Sequence, residues 1–104
     1  MTAVKAGPTT ALVADIGGTW VRFALACEGA GAAPELRAQR TLAVSGHASL
    51  VDAAHEYLQG LDGTHATPDV AVFAVAGRVD GDNASMTNHP WHINALACAD
   101  ALSM

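Results

Sequence analysis

Residues 11 to 27 carry two apolar runs, ALVADI and VRFALAC, with Gly17-Gly18 between them. The first is apolar at every position except Asp15, which suits a strand buried on both faces. The second reads as a strand folding back on the first, with the glycine pair as a tight turn. Leu36 to Leu42 alternates imperfectly, with Arg37, Gln39 and Arg40 among Leu36, Ala38 and Leu42. That pattern predicts an exposed edge strand, where charge discourages unwanted pairing. The period then changes. Leu50, Ala53, Ala54, Tyr57, Leu58 and Leu61 recur at helical spacing on one face. Ser49 stands where an N-cap belongs, Asp52 lies in the first turn, and Gly60 with Asp62-Gly63 ends the helix. Val70 to Val75 is wholly apolar and predicts a central parallel strand reached by a helical crossover. Gly77 punctuates it, Asp80-Gly81-Asp82 reads as a turn, Ala84 to Thr87 as a short strand, and Asn94 as the cap of a last helix over Ala95 to Leu102.

The predicted order is strand, strand, strand, helix, strand, short strand, helix, which makes a mixed sheet in an α/β unit. Residues 1 to 10 read as a leader broken at Gly7-Pro8, and residues 11 to 104 as one domain without repeat or linker.

Composition narrows the function classes. A chain of 104 residues, 51% hydrophobic and 14% charged, is expected to be globular. Much of the apolar share is alanine and only 5% is aromatic, so the core is expected to be light. The net charge of −5, with no cluster of Lys or Arg, argues against nucleic acid as a partner. No apolar run approaches the ~20 residues that span a bilayer, so no membrane partner is expected. The start, MTAVKAGPTTALVAD, is unlike a signal peptide, and Cys27 and Cys98 are too few for a disulfide framework. Two free thiols in a reducing cytoplasm is the expected state.

Two stretches carry candidate chemistry. Asp15 falls at the C-terminal end of the first strand, where open α/β sheets bind ligands. Gly17 and Gly18 lack Cβ, so their amides can approach a phosphate and take positive φ, and Thr19 adds a hydroxyl donor. A carboxylate beside such a nest repels a phosphate unless a cation such as hydrated Mg²⁺ bridges them. The alternative is a plain Gly-Gly hairpin with an incidental acid. In MTNHPWH, residues 86 to 92, Thr87 and Asn88 offer hydrogen bonds suited to sugar hydroxyls. Trp91 either packs on a sugar face or anchors its loop to the core. His89 and His92 stand three apart, but Pro90 spoils a helical pair and no acid or Cys accompanies them, so they make a poor zinc pair. His55-Glu56 lacks a second His at position 59 and fails as a zincin motif.

ALVADIGGTWVRFAL resembles the phosphate-binding start of the bacterial glucokinases, whose usual form is close to DIGGT-Asn-x-Arg. AVAG at 74 to 77 and MTNHPW at 86 to 91 are similar to two further blocks of that family, in the same order and at compatible spacing. The resemblance implies an incomplete N-terminal subdomain of the ribonuclease H-like, actin-like ATPase fold shared with hexokinases. It implies ATP and Mg²⁺ as cofactors, and glucose or a related hexose as the substrate phosphorylated at its 6-hydroxyl. By position, Ala14, Asp15, Ile16, Gly17, Gly18 and Thr19 would form the ATP-phosphate loop, with Asp15 near Mg²⁺ through water. Thr87 and Asn88 would line the hexose side. Arg22 matches the family's Arg and is expected to fix the hairpin structurally.

The chain also departs from the family. Trp20 stands where the family has Asn, and Arg78 where it usually has Pro. The family's catalytic base lies in an Asn-Asp-Phe block after the last helix, and this sequence ends at Met104; Asp100 lies inside that helix and is not preceded by Asn. The 104 residues are therefore expected to be inactive alone. A non-catalytic sugar-binding or interaction module of the same fold is the alternative, favoured by Trp20 and the missing base. The implied fold needs a further strand beside Val70 to Val75, so an exposed edge there and dimerisation through it are expected.

Overall fold

A computed structural model of the chain describes residues 10–27, 35–63, 67–85 and 91–104. Strands β1 (Thr10–Ile16), β2 (Trp20–Cys27) and β3 (Glu35–Ala43) are followed by a 3-10 turn at Val44–Gly46 and helix α1 (Leu50–Gln59). Strands β4 (Val70–Val75), β5 (Arg78–Asp80), β6 (Asn83–Ser85) and β7 (Ile93–Asn94) precede helix α2 (Ala95–Ala101). The main sheet has the order β3-β2-β1-β4, and β5-β6-β7 form a second, smaller sheet. β1 to β3 pair antiparallel, whereas β4 lies parallel to β1. This is the mixed α/β arrangement expected.

One face of the main sheet holds the core. Leu12, Ala14 and Ile16 of β1 stand in register with Leu25, Phe23 and Val21 of β2, and all six are buried. Helix α1 covers them with Leu50, Ala53, Ala54 and Tyr57, four of the six positions of its predicted apolar face; Leu58 and Leu61 are partly buried beside them. The Tyr57 ring stacks on Phe23 with centroids 5.1 Å apart, which fixes where the helix crosses the sheet. The expected cap is formed, for the Ser49 hydroxyl accepts from the Asp52 amide at 3.1 Å.

Three expectations need correction. β1 is not buried on both faces: Ala11 and Val13 are partly open and Asp15 is exposed, so the strand alternates. β4 is parallel, as expected, but lies at the border of the described sheet rather than its centre, with Val70 and Val72 exposed, the open edge that the resemblance implied. An apolar run marks a strand and does not report how many neighbours it has. Third, neither Gly17 nor Gly18 takes positive φ; among the described residues the glycine that does is Gly81, at +59°, in the two-residue turn between β5 and β6. There the predicted turn is real, flanked by β5 and β6, of which only the second was expected.

Both cysteines are free, Cys27 partly exposed and Cys98 buried. No helix among the described residues is long and apolar enough to cross a membrane.

Candidate functional site

Strand alternation decides what faces the open side of the main sheet. With Ala14 and Ile16 turned into the core, Asp15 between them must point the other way, and it is exposed. Its partner across the β1–β2 ladder is Arg22, also exposed, and Arg22 is in turn paired with Thr41 of β3. An acid, a base and a hydroxyl thus stand side by side on three adjacent strands, just below the end of β1. Among the described residues no ion pair joins Asp15 to Arg22.

Above them the chain turns through Gly17, Gly18 and Thr19. The Gly17 amide donates to the Trp20 carbonyl at 2.9 Å and closes the turn. The Thr19 carbonyl accepts from the Val44 amide at 2.9 Å, tying the turn to the 3-10 segment after β3. A Cβ at Gly17 would approach the Trp20 carbonyl to 3.3 Å, a tight contact, whereas one at Gly18 would meet nothing within 4 Å. Gly18 is therefore not required by this chain's own packing, and its backbone is left bare towards solvent. Asp15, Gly17, Gly18, Thr19, Trp20, Arg22 and Thr41 line one open cleft of about 570 Å³.

Of the six residues expected in a phosphate loop, Asp15, Gly17, Gly18 and Thr19 meet in this cleft, while the side chains of Ala14 and Ile16 belong to the core. Thr41 was not expected. Counting back by one from buried Leu42 would have put it on the open face, but the imperfect alternation of β3 hides that signal. Trp20 is 58% exposed and forms one wall.

Thr87, Asn88 and His89 lie outside the described residues. Trp91 does not, and it follows the anchoring reading: it is 2% exposed and its Nε1 donates to the His47 carbonyl at 3.1 Å. His92 is exposed, and the described residues contain no cluster of three or more His, Cys, Asp or Glu able to hold a metal.

Comparison with known proteins gives the wider frame. The glucokinase family model matches residues 12–104. A glucokinase of Stenotrophomonas maltophilia (strain R551-3) is 48% identical over 99 residues, covering 95% of this chain and 29% of that protein. One from Xylella fastidiosa (strain M12) is 50% identical over 92 residues, or 88% of this chain and 26% of its own length. The crystal structure of a glucokinase from an Antarctic psychrotroph superposes with a TM-score of 0.80 at 33% identity, over 95% of this chain and 30% of that one. The chain thus spans less than a third of the relatives it matches. With the family model covering nearly the whole chain and the fold agreeing with a solved member, the chain belongs to the glucokinase family.

Proposed function

We propose that these residues supply the nucleotide-phosphate side of an ATP-dependent hexose kinase acting on glucose or a related sugar. In that reading the sheet is the first subdomain of a ribonuclease H-like, actin-like ATPase fold. The observation that carries it is the cleft itself. A carboxylate, a hydroxyl and a bare glycine backbone meet at the C-terminal end of β1, and Gly18 has no packing reason to be glycine.

In this site Gly18 and Thr19 would receive phosphate oxygens while the Gly17 amide closes the turn that presents them, and Arg22 lies close enough in register to share their charge. Asp15 suits a hydrated Mg²⁺, because an oxygen ligand on an open face leaves room for the waters that ion retains. Bound there, Mg²⁺ would neutralise phosphate charge during in-line transfer of the γ-phosphoryl group to the sugar 6-hydroxyl. Thr87 and Asn88 are proposed for the hexose side, and the base that accepts the hydroxyl proton for the further length found in the relatives. A cytoplasmic setting, without nucleic-acid or membrane partners, goes with this reading.

A Mg·ATP titration by calorimetry tests it. Gly18→Val should leave the melting temperature unchanged, since its side chain enters open space, yet weaken nucleotide binding at least tenfold by covering the amides. Equal affinity in both forms would remove the phosphate assignment.

A second reading, a non-catalytic module of the same fold, is favoured by Trp20, whose indole forms a wall of the cleft. If it prevails, the natural chain binds no nucleotide and Trp20→Asn restores binding. Equal ATP affinity with Trp and Asn would dismiss it.

A further inference from the structure

The short segment from Val44 to His47 bonds both to the glycine turn and to Trp91, the residue that ends the MTNHPW stretch. At one end the Val44 amide holds the Thr19 carbonyl of the glycine turn. The His47 amide donates to the Val44 carbonyl at 3.1 Å, and the His47 carbonyl accepts from the Trp91 indole at 3.1 Å. A chain of three hydrogen bonds thus runs from the Gly17–Thr19 turn to the end of the MTNHPW block. We propose that His47 is a positioning residue that ties the glycine turn to the Trp91 segment, and that protonation of its ring tightens the tie.

The imidazole of His47 lies between two acceptors. Its Nδ1 is 2.9 Å from the Ala43 carbonyl, and its Nε2 is 3.3 Å from Oε1 of Glu56 on α1. Both partners are acceptors only. Neutral imidazole has one N–H, so it satisfies one of them and turns a lone pair towards the other; imidazolium donates to both. The ring therefore has two states that differ in how firmly the segment is held to α1. Its charged neighbours are Glu56 and Asp52 on α1, with Arg40 of β3 reaching the other Glu56 oxygen at 3.5 Å. The Ala43 carbonyl raises the pKa of His47 most, partial burial opposes it, and Glu56 then adds to the rise. These contacts together move the ring's change of charge upward from the ordinary histidine value. The tie itself is independent of any ligand; its consequence for nucleotide and sugar rests on the functional reading above.

The test is a pH titration of the full ¹⁵N-labelled chain without nucleotide, from about pH 5.5 to about 8.5, across the histidine range. The Trp91 indole N–H, assigned with Trp20→Phe, and the amides of Gly17, Gly18 and Val44 should move with one shared midpoint above the ordinary ~6.5. Glu56→Gln should lower that midpoint at every site. His47→Asn, which keeps a donor for Ala43 but cannot titrate, should abolish the transition at every site. Movement of the Trp91 signal with still glycine amides would overturn the tie, as would a transition that survives His47→Asn. If His47→Asn fails to fold, Glu56→Gln decides alone, and an unmoved midpoint counts against the proposal. A successful titration beside a failed Mg·ATP experiment would sink the functional reading and leave this one standing.

Discussion

Ala38 sits inside β3 at φ 54°, in the left-handed region that side chains avoid. The β2–β3 register slips there, so that Phe23 faces Arg40 while Leu25 faces Arg37, and one residue bulges. The Tyr57 hydroxyl donates to the Ala38 carbonyl at 2.8 Å and holds the bulge against α1. Replacing Ala38 with Gly should stabilise the fold by about 0.5 kcal/mol, because relief of backbone strain exceeds the entropy glycine loses. An unchanged urea midpoint would show that the bulge carries no strain. Tyr57→Phe should cost about 1 kcal/mol by orphaning that carbonyl while keeping the ring stack. His47 adds a pH dependence. Its folded pKa is raised, so its stabilisation is complete below the unfolded value of about 6.5 and fades as pH rises through the folded one. The melting temperature should fall across that interval in the natural chain and stay level in His47→Asn. None of this was legible in the sequence: Ala38 looks like any strand alanine, and the partners of His47 are set by the fold. Asp15 was legible, because its place after an apolar run and before two glycines is a local pattern.

At the scale of elements, legibility followed length and period. α1 was read with its cap because six apolar positions repeat at helical spacing behind a serine. Ser49→Ala should cost about 1 kcal/mol, seen as a lower melting temperature; no change would mean that the Asp52 amide finds water as good a partner. α2 was read from Asn94, whose side chain accepts from the Ala97 amide at 2.8 Å. β5 and β7 were missed. They have three residues and two, too few for a two-residue period to appear, and they exist because β6 offers them a ladder on either side. The mistaken readings of β1 as closed on both faces and of β4 as central have one origin: alanine and valine on an open face look the same in sequence as on a closed one.

For the whole molecule, the cleft and the sheet that bears it are present, while Asp100, in α2, does not line that cleft. The 104 residues alone should therefore give no ATP-dependent glucose phosphorylation in a coupled assay. Turnover abolished by Asp15→Asn would show that a base is already in place. Association should depend on the two borders of the main sheet, which are unlike. β3 presents Glu35, Arg37 and Arg40 and a bulge, all of which hinder pairing. β4 presents six residues without charge, bulge or proline. Sedimentation at low micromolar concentration should find self-association in the natural chain and less of it in Val72→Lys; a sharp monomer in both would end the idea. The difference between the borders also limits how far such growth can go. Two copies meeting β4 to β4 about a two-fold axis would leave only their charged, kinked rims outward. Stoichiometry then ends at a pair, and soluble dimers rather than fibres should accumulate as concentration rises.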